Sequence, residues 1–277
     1  MAALRIHQAL EEARHQSLAR LDALWLLGHV LKRPSSWLLA HDHHALADQQ
    51  QQQWGRLLAR RLAGEPLAYV IGEQQFCGLT LRLTPAVLIP RPETELLVEW
   101  AVERLRLSRA KNPAVLDLGT GSGAVALALQ QRWPAARITG VDNSEPALEV
   151  ARANGEQLGM TLQWLRSDWW SGLSAGAQFD LVVSNPPYIH SDDPHLSALT
   201  HEPLASLTPG GDGLSALQHI VAGAARHLVP GAWLLLEHGH DQAQATQAML
   251  QRAGFDTAQT RHDLAGLARC TGAGWPT

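Results

Sequence analysis

Cysteine is scarce. Cys77 and Cys270 are the only two in 277 residues, far apart and without CxxC or metal-type spacing. That excludes a disulfide framework and fits a reducing compartment. No stretch approaches the roughly 20 apolar residues of a membrane-spanning helix, so no membrane role is expected. The start, Met1-Ala2-Ala3-Leu4-Arg5-Ile6-His7, runs into charged residues without the apolar core of a signal peptide. A cytoplasmic location is the expectation. Lysine and arginine form no run or tail, and the formal net charge is −4. A chain that grips nucleic acid mainly through phosphates shows a basic footprint, so direct nucleic-acid binding is not expected. Histidines are numerous. His41, His43, His44, His190, His195, His201, His238 and His240 include HxH spacings that occur in metal sites. No cysteine or acid cluster completes a set, so they read as solvated or capping residues and no metal is expected.

The chain that remains is 45% hydrophobic and 17% charged, long enough for a large domain with a smaller companion. Residues 1–75 carry a helical period in Leu4, Ala9, Leu10, Leu18, Leu21, Leu24, Trp25 and Leu27. Pro34 interrupts it, and Ser35 or Ser36 is placed to cap the next helix. Gln49–Gln53 reads as the wet face of a helix. This nearly charge-balanced bundle is a candidate partner-recognition module. Residues 76–90 read as a β-hairpin linker, one strand in Phe76–Leu83 and one in Val87–Pro90, turning at Thr84-Pro85-Ala86. Arg91-Pro92-Glu93-Thr94-Glu95 then opens a helix, the proline in its first turn and the acids facing the dipole.

From residue 91 to 277 strands alternate with helices, which implies a mostly parallel, doubly wound α/β sheet. Ala114–Leu118, Ala136–Asp142, Leu162–Arg166, Phe179–Val183 and Ala232–Glu237 read as strands, with Phe255–Thr260 and Leu267–Thr271 as weaker ones. Ser144 is placed to cap a helix. The polar stretch from His190 to Gly211 is too long for an idle loop.

Four pieces of chemistry fall at strand ends. Asp117-Leu118-Gly119-Thr120-Gly121-Ser122-Gly123 is a glycine turn that lets backbone approach a ligand. Asp142, 23 residues beyond Gly119, can accept both hydroxyls of a ribose. Asp168 can accept from an adenine amino group, and Trp169 can cover an adenine face, with Trp170 in the core. Ser184-Asn185-Pro186-Pro187-Tyr188 follows a buried-type strand. Its prolines remove two backbone donors. An Asn side-chain oxygen and a backbone carbonyl, both acceptors, then stand beside an aromatic face. That set suits a planar –NH2 group. Together the pieces describe a site for an adenosine without a pyrophosphate.

On these residues the chain resembles the class I S-adenosylmethionine-dependent methyltransferases, whose Rossmann-like sheet has seven strands. The resemblance implies S-adenosylmethionine as cofactor. Asp117, Gly119, Thr120, Gly121, Ser122 and Gly123 would form its loop, Asp142 its ribose acid, Asp168 and Trp169 its adenine contact, and Asn185 a further contact. Asn185-Pro186-Pro187-Tyr188 matches the motif of enzymes that methylate planar amino or amide nitrogens. The domain order, Leu88-Ile89-Pro90-Arg91-Pro92-Glu93-Thr94-Glu95, Glu202-Pro203, Gly210-Gly211-Asp212-Gly213-Leu214 and Asp263-Leu264-Ala265-Gly266 with Arg269 make nearly the whole chain similar to the protein-(glutamine-N5) methyltransferases of the HemK/PrmC family. That likeness implies an enzyme that methylates the glutamine of the Gly-Gly-Gln motif in peptide chain release factors. A monomer is the separate expectation. Asn185, Pro186 and Tyr188 would be its catalytic residues. Pro187 and Arg91 would join them in holding substrate, unless Arg91 only pairs with Glu93 or Glu95. An adenine-N6 nucleic-acid methyltransferase would use the same four residues, but it would want a basic groove. A cofactor-binding subunit without activity is the other alternative.

Overall fold

A computed structural model describes residues 4–277. The chain divides into two compact units, Met1–Glu73 and Gln74–Thr277. Residues 1–3, the start of the stretch read as lacking a signal peptide, lie outside the described residues.

The first unit holds α1 (Ile6–His15), α2 (Arg20–Leu31), α3 (Ser35–Ala40), α4 (Asp48–Leu62) and α5 (Leu67–Ile71). Its core is built from Ile6, Ala9, Leu26, Leu27, Leu38, Leu46 and Trp54. The α2 face differs from the expected one. Leu24 and Leu27 are buried, but Leu21 and Trp25 are 63% and 51% exposed. A run as apolar as Leu21–Leu31 offers two overlapping helical stripes, and packing selects the one carrying Leu26 and Val30. Neither Ser35 nor Ser36 caps α3. Pro34 holds the cap position in extended geometry, and Ser35 is already helical. Gln49–Gln53 does form the wetter side of α4.

The hairpin lies earlier than expected. It pairs β1 (Glu73–Phe76) with β2 (Leu79–Arg82), and Val87–Pro90 is not a strand. The turn is Cys77-Gly78, with φ of +48° and +79°. A two-residue hairpin turn of positive φ matches strand twist, and Gly supplies that geometry without strain. Glu95 Oε1 accepts the Cys77 N–H at 2.7 Å and steadies the turn.

After a short 3-10 turn at Pro92–Thr94 come α6 (Glu95–Leu107), β3 (Ala114–Leu118), α7 (Ala124–Arg132), β4 (Arg137–Asp142), α8 (Glu145–Gln157), β5 (Gln163–Arg166) and β6 (Phe179–Ser184). The chain continues through α9 (Leu204–Leu207), α10 (Ser215–Ala224), β7 (Leu228–Glu237), α11 (Ala243–Arg252), β8 (Gln259–His262) and β9 (Ala268–Gly274). The sheet has seven strands in the order β5-β4-β3-β6-β7-β9-β8. β3, β4, β5, β6 and β7 are parallel, and β9 is antiparallel to β7 and β8.

Side chains that alternate along a strand go to opposite faces. Val115, Leu181, Val183 and Leu235 pack under α6 and α7 with Leu97, Trp100 and Leu127. Leu116, Leu118, Val182, Leu234 and Leu236 pack under α10 and α11 with Leu217, Ile220 and Leu250. Burial on both faces explains why these strands are continuously apolar. From β3 the chain winds outward through β4 and β5, then returns to β6 on the other flank of β3. The carboxyl ends of β3 and β6 therefore flank the switch point where such sheets bind ligands. His238, read as solvated or capping, is instead fully buried just past β7, its Nε2 2.7 Å from Thr271 Oγ1.

Candidate active site

The switch point opens into a cleft. Gly119 and Gly121 form one side of it, Asp142, Asn143 and Ser144 another, and Asp168, Trp169, Asn185 and Pro187 close the rest. Six sequence-predicted cofactor residues are thereby brought together: Gly119, Gly121, Asp142, Asp168, Trp169 and Asn185. Asp117, Thr120, Ser122 and Gly123 lie behind this surface and shape the loop. Gly119, Gly121 and Gly123 have φ of +73°, +54° and +80°, which L side chains rarely adopt.

Asp117 is buried, and its Oδ2 accepts the Thr120 hydroxyl at 2.6 Å. Burial pushes its carboxyl up to about 7, opposed by hydrogen bonds from Thr120 and the Ala126 N–H, with the charge of Asp142 adding to the rise. A raised folded-state pKa means the fold holds this proton more tightly than the unfolded chain does. The associated stability is present below the ordinary carboxylate value and is lost as pH rises through about 7. Asp117→Asn does not titrate, so it should gain on the parent by roughly 1 kcal/mol per pH unit across that window. Urea unfolding of both proteins at pH 5 and pH 7.5 checks this, and a constant stability difference would contradict it.

Asp142 ends β4 and turns its carboxylate into the cleft. Oδ2 accepts from Gly121 N at 2.9 Å, and Oδ1 accepts from Ser144 N at 2.9 Å. Its pKa is raised by burial, against the pull of those backbone donors. Ser144 begins α8 as its cap, accepting from Ala147 N at 3.3 Å. Trp169 holds φ +50°. Ser167 fixes it there by donating to the Trp169 carbonyl at 2.6 Å and accepting from Gly172 N at 2.8 Å. The indole lies 3.6 Å from where a Gly119 Cβ would stand. Trp170 is in the core, stacked on His227.

A second cleft lies across Asn185. Leu88, Arg91, Asn185, Pro186, Tyr188, Ile189 and Leu207 are among its lining residues. Asn185, Leu88 and Ser206 border both clefts. Asn185 Nδ2 donates to Thr94 Oγ1 at 3.1 Å, which leaves Oδ1 as the end available to a ligand. The Tyr188 hydroxyl donates to Glu237 at 3.2 Å, and its carbonyl accepts from Gln242 Nε2 at 2.9 Å. Burial first, and the Glu237 charge second, raise the Tyr188 pKa, so its ring is neutral. Among the described residues lining this cleft, Arg91 alone carries a full charge. Its partner is Glu202, at 2.5 Å, and not Glu93 or Glu95. Glu202 is buried and also accepts the Ile89 N–H at 3.0 Å. That double anchor pins the long segment after Tyr188, so that Pro203, Ala205 and Ser206 face Ala86, Val87 and Leu88 across the first cleft.

Sequence reasoning missed Thr94, Glu202 and Glu237 as parts of this site. Thr94 and Glu202 stood within quoted motifs without a role, and Glu237 only as the end of a strand. Among the described residues, no group of three or more His, Cys, Asp or Glu is placed to hold a metal ion, and no helix is long and apolar enough to cross a membrane.

A glycine turn and an acid at the ends of adjacent parallel strands, with this cleft between them, form a nucleoside-type site at the switch point, and likeness to known proteins places the chain in the methyltransferase class. The family model described as Methyltransferase domain matches residues 115–211, and the PrmC N-terminal domain matches residues 4–72. The fold is shared with a solved methyltransferase from Pyrococcus furiosus, which aligns with a TM-score of 0.54 and 17% identity over 80% of this chain and 100% of that one. Sequence likeness is far higher to two curated relatives named release factor glutamine methyltransferase. The one from Bordetella pertussis is 48% identical over 92% of this chain and 94% of its own length. The one from Salmonella typhimurium is 42% identical over 96% of each. The chain belongs to the release factor glutamine methyltransferase family.

Proposed function

We propose that this chain transfers a methyl group from S-adenosylmethionine to the side-chain amide nitrogen N5 of the glutamine in the Gly-Gly-Gln motif of peptide chain release factors. The observation that carries the proposal is the position of Asn185. One carboxamide borders two clefts, with its nitrogen end engaged by Thr94 and its oxygen end left to accept.

The first cleft fits the cofactor. Asp142 presents a carboxylate to a ribose, Gly119 and Gly121 leave space for the methionine part, and the Trp169 indole walls the adenine position, with Asp168 exposed beside it. When bound there, the cofactor supplies a sulfonium-activated, electrophilic methyl group. In the second cleft Asn185 Oδ1 and the Pro186 carbonyl would accept the two amide hydrogens. An amide nitrogen is a weak nucleophile because its lone pair is delocalised into the carbonyl. Acceptors on both hydrogens favour the positive charge that develops on it, acting more on the transition state than on the ground state. Tyr188 stacks on the amide plane and sets the line of attack. Pro187 keeps the turn rigid. Arg91, braced by Glu202, forms a wall beside the acceptor. No side chain lining this cleft is suited to act as a base, so the surplus proton of the methylated nitrogen passes to water after methyl transfer.

Within this reading, residues 1–75 recognise the release factor, residues 76–90 link, and residues 91–277 carry the chemistry. The enzyme works as a monomer in the cytoplasm without direct nucleic-acid contact. Incubation with methyl-labelled cofactor and release factor, a Gly-Gly-Ala variant of it, or DNA tests the whole. Label in the unaltered release factor alone is the expected result. Label in DNA, in the Gly-Gly-Ala variant, or in nothing overturns the reading.

A further inference from the structure

A carboxamide is nearly symmetric in shape but not in chemistry, since one end accepts and the other donates. If the –NH2 end of Asn185 faced the acceptor cleft, two donors would meet the two donors of the substrate amide. The family motif contains the asparagine but nothing that chooses its orientation.

We propose that Thr94 is a positioning residue that sets which end of Asn185 faces the acceptor. The inference rests on the reading above, in which Asn185 works through its oxygen. Thr94 ends the Pro92–Thr94 turn and is 3% exposed. Its oxygen receives Asn185 Nδ2 at 3.1 Å. The Thr94 oxygen draws the Asn185 nitrogen to itself and so turns the Asn185 oxygen toward the acceptor cleft. Glu237 stands at the end of β7, 1% exposed, and accepts the Tyr188 hydroxyl at 3.2 Å, so the Tyr188 ring is held by its far end.

Arg269, nearby in sequence to Asp263, pairs with it at 3.1 Å. Burial pushes the Glu237 carboxyl up to about 7. Keeping so costly a group under the reacting turn is characteristic of a functional site.

The test compares Thr94→Val, Thr94→Ser and Asn185→Ala in single-turnover methylation of release factor, with cofactor affinity by calorimetry and thermal unfolding alongside. Thr94→Val keeps the shape and removes the hydroxyl. It should lower kcat about tenfold, the equivalent of one mispaired hydrogen bond. Cofactor affinity and melting temperature should hold, and Thr94→Ser should restore turnover. Parent-like turnover in Thr94→Val while Asn185→Ala is inactive overturns the positioning role alone. A loss of melting temperature and cofactor affinity in step with kcat also overturns it, leaving Thr94 a packing residue. An active Asn185→Ala instead removes the reading beneath it. Should Thr94→Val not fold, Thr94→Ala takes its place: it also removes the hydroxyl, so the same kcat-only loss is expected, and full activity overturns the proposal.

Discussion

Replacing Asn185 by alanine should lower kcat by about 100- to 1,000-fold, the range seen when one preorganised transition-state partner is removed. The loss belongs to the chemical step. Asn185 borders the first cleft, but on the proposed reading the polar groups that would hold a nucleoside there are Asp142 and the Gly119–Gly121 backbone. Cofactor affinity measured by calorimetry should stay close to that of the parent. Affinity for release factor should also change little, because two amide hydrogen bonds are a small part of a protein–protein contact. Single-turnover methylation at saturating cofactor isolates the effect. Near-parental turnover would take Asn185 out of the chemistry and reduce the acceptor turn to a structural bend.

Asp142→Ala should fail in the opposite sense, weakening cofactor binding by about a hundredfold, equivalent to roughly two hydrogen bonds to a charged group. The substitution has two consequences. It removes the carboxylate from the ribose position, and it strips Gly121 N and Ser144 N of the acceptor each meets at 2.9 Å. The glycine loop and the start of α8 both lose a tether. Asp142→Asn keeps one acceptor oxygen and should fall between the two. At cofactor concentrations high enough to saturate the variant, kcat should approach the parent value. Unchanged affinity would remove Asp142 from the ribose. A kcat loss persisting at saturation would mean that the loop, not the ribose contact, governs the reaction.

Much of this site was legible because it is written locally. The glycine turn, the position of Asp142, the Ser144 cap and the placing of Trp169 at the cleft with Trp170 in the core each follow from a strand end and its next few residues. The seven-stranded sheet was legible for a related reason: strands buried on both faces are continuously apolar, and helices between them keep their period. What escaped is what depends on distant partners. Thr94 meets Asn185 across 91 positions, Glu202 meets Arg91 across 111, and Glu237 meets Tyr188 across 49. No periodicity encodes such pairs, and Glu93 and Glu95 were nearer decoys for Arg91. The hairpin was misplaced because Thr84-Pro85-Ala86 looks more like a turn than Cys77-Gly78 does. Leu21 and Trp25 went to the surface because an all-apolar helix face does not declare which stripe will pack.

The wall shared by the two clefts has a thermodynamic consequence. Leu88, Asn185 and Ser206 touch both ligands' spaces, so any shift that seats one ligand alters the walls offered to the other. Coupling of that kind is reciprocal. If cofactor tightens the grip on release factor by some factor, release factor tightens the grip on cofactor by the same factor. On the proposed function, the demethylated cofactor, having given up its methyl group, would forfeit part of that mutual gain.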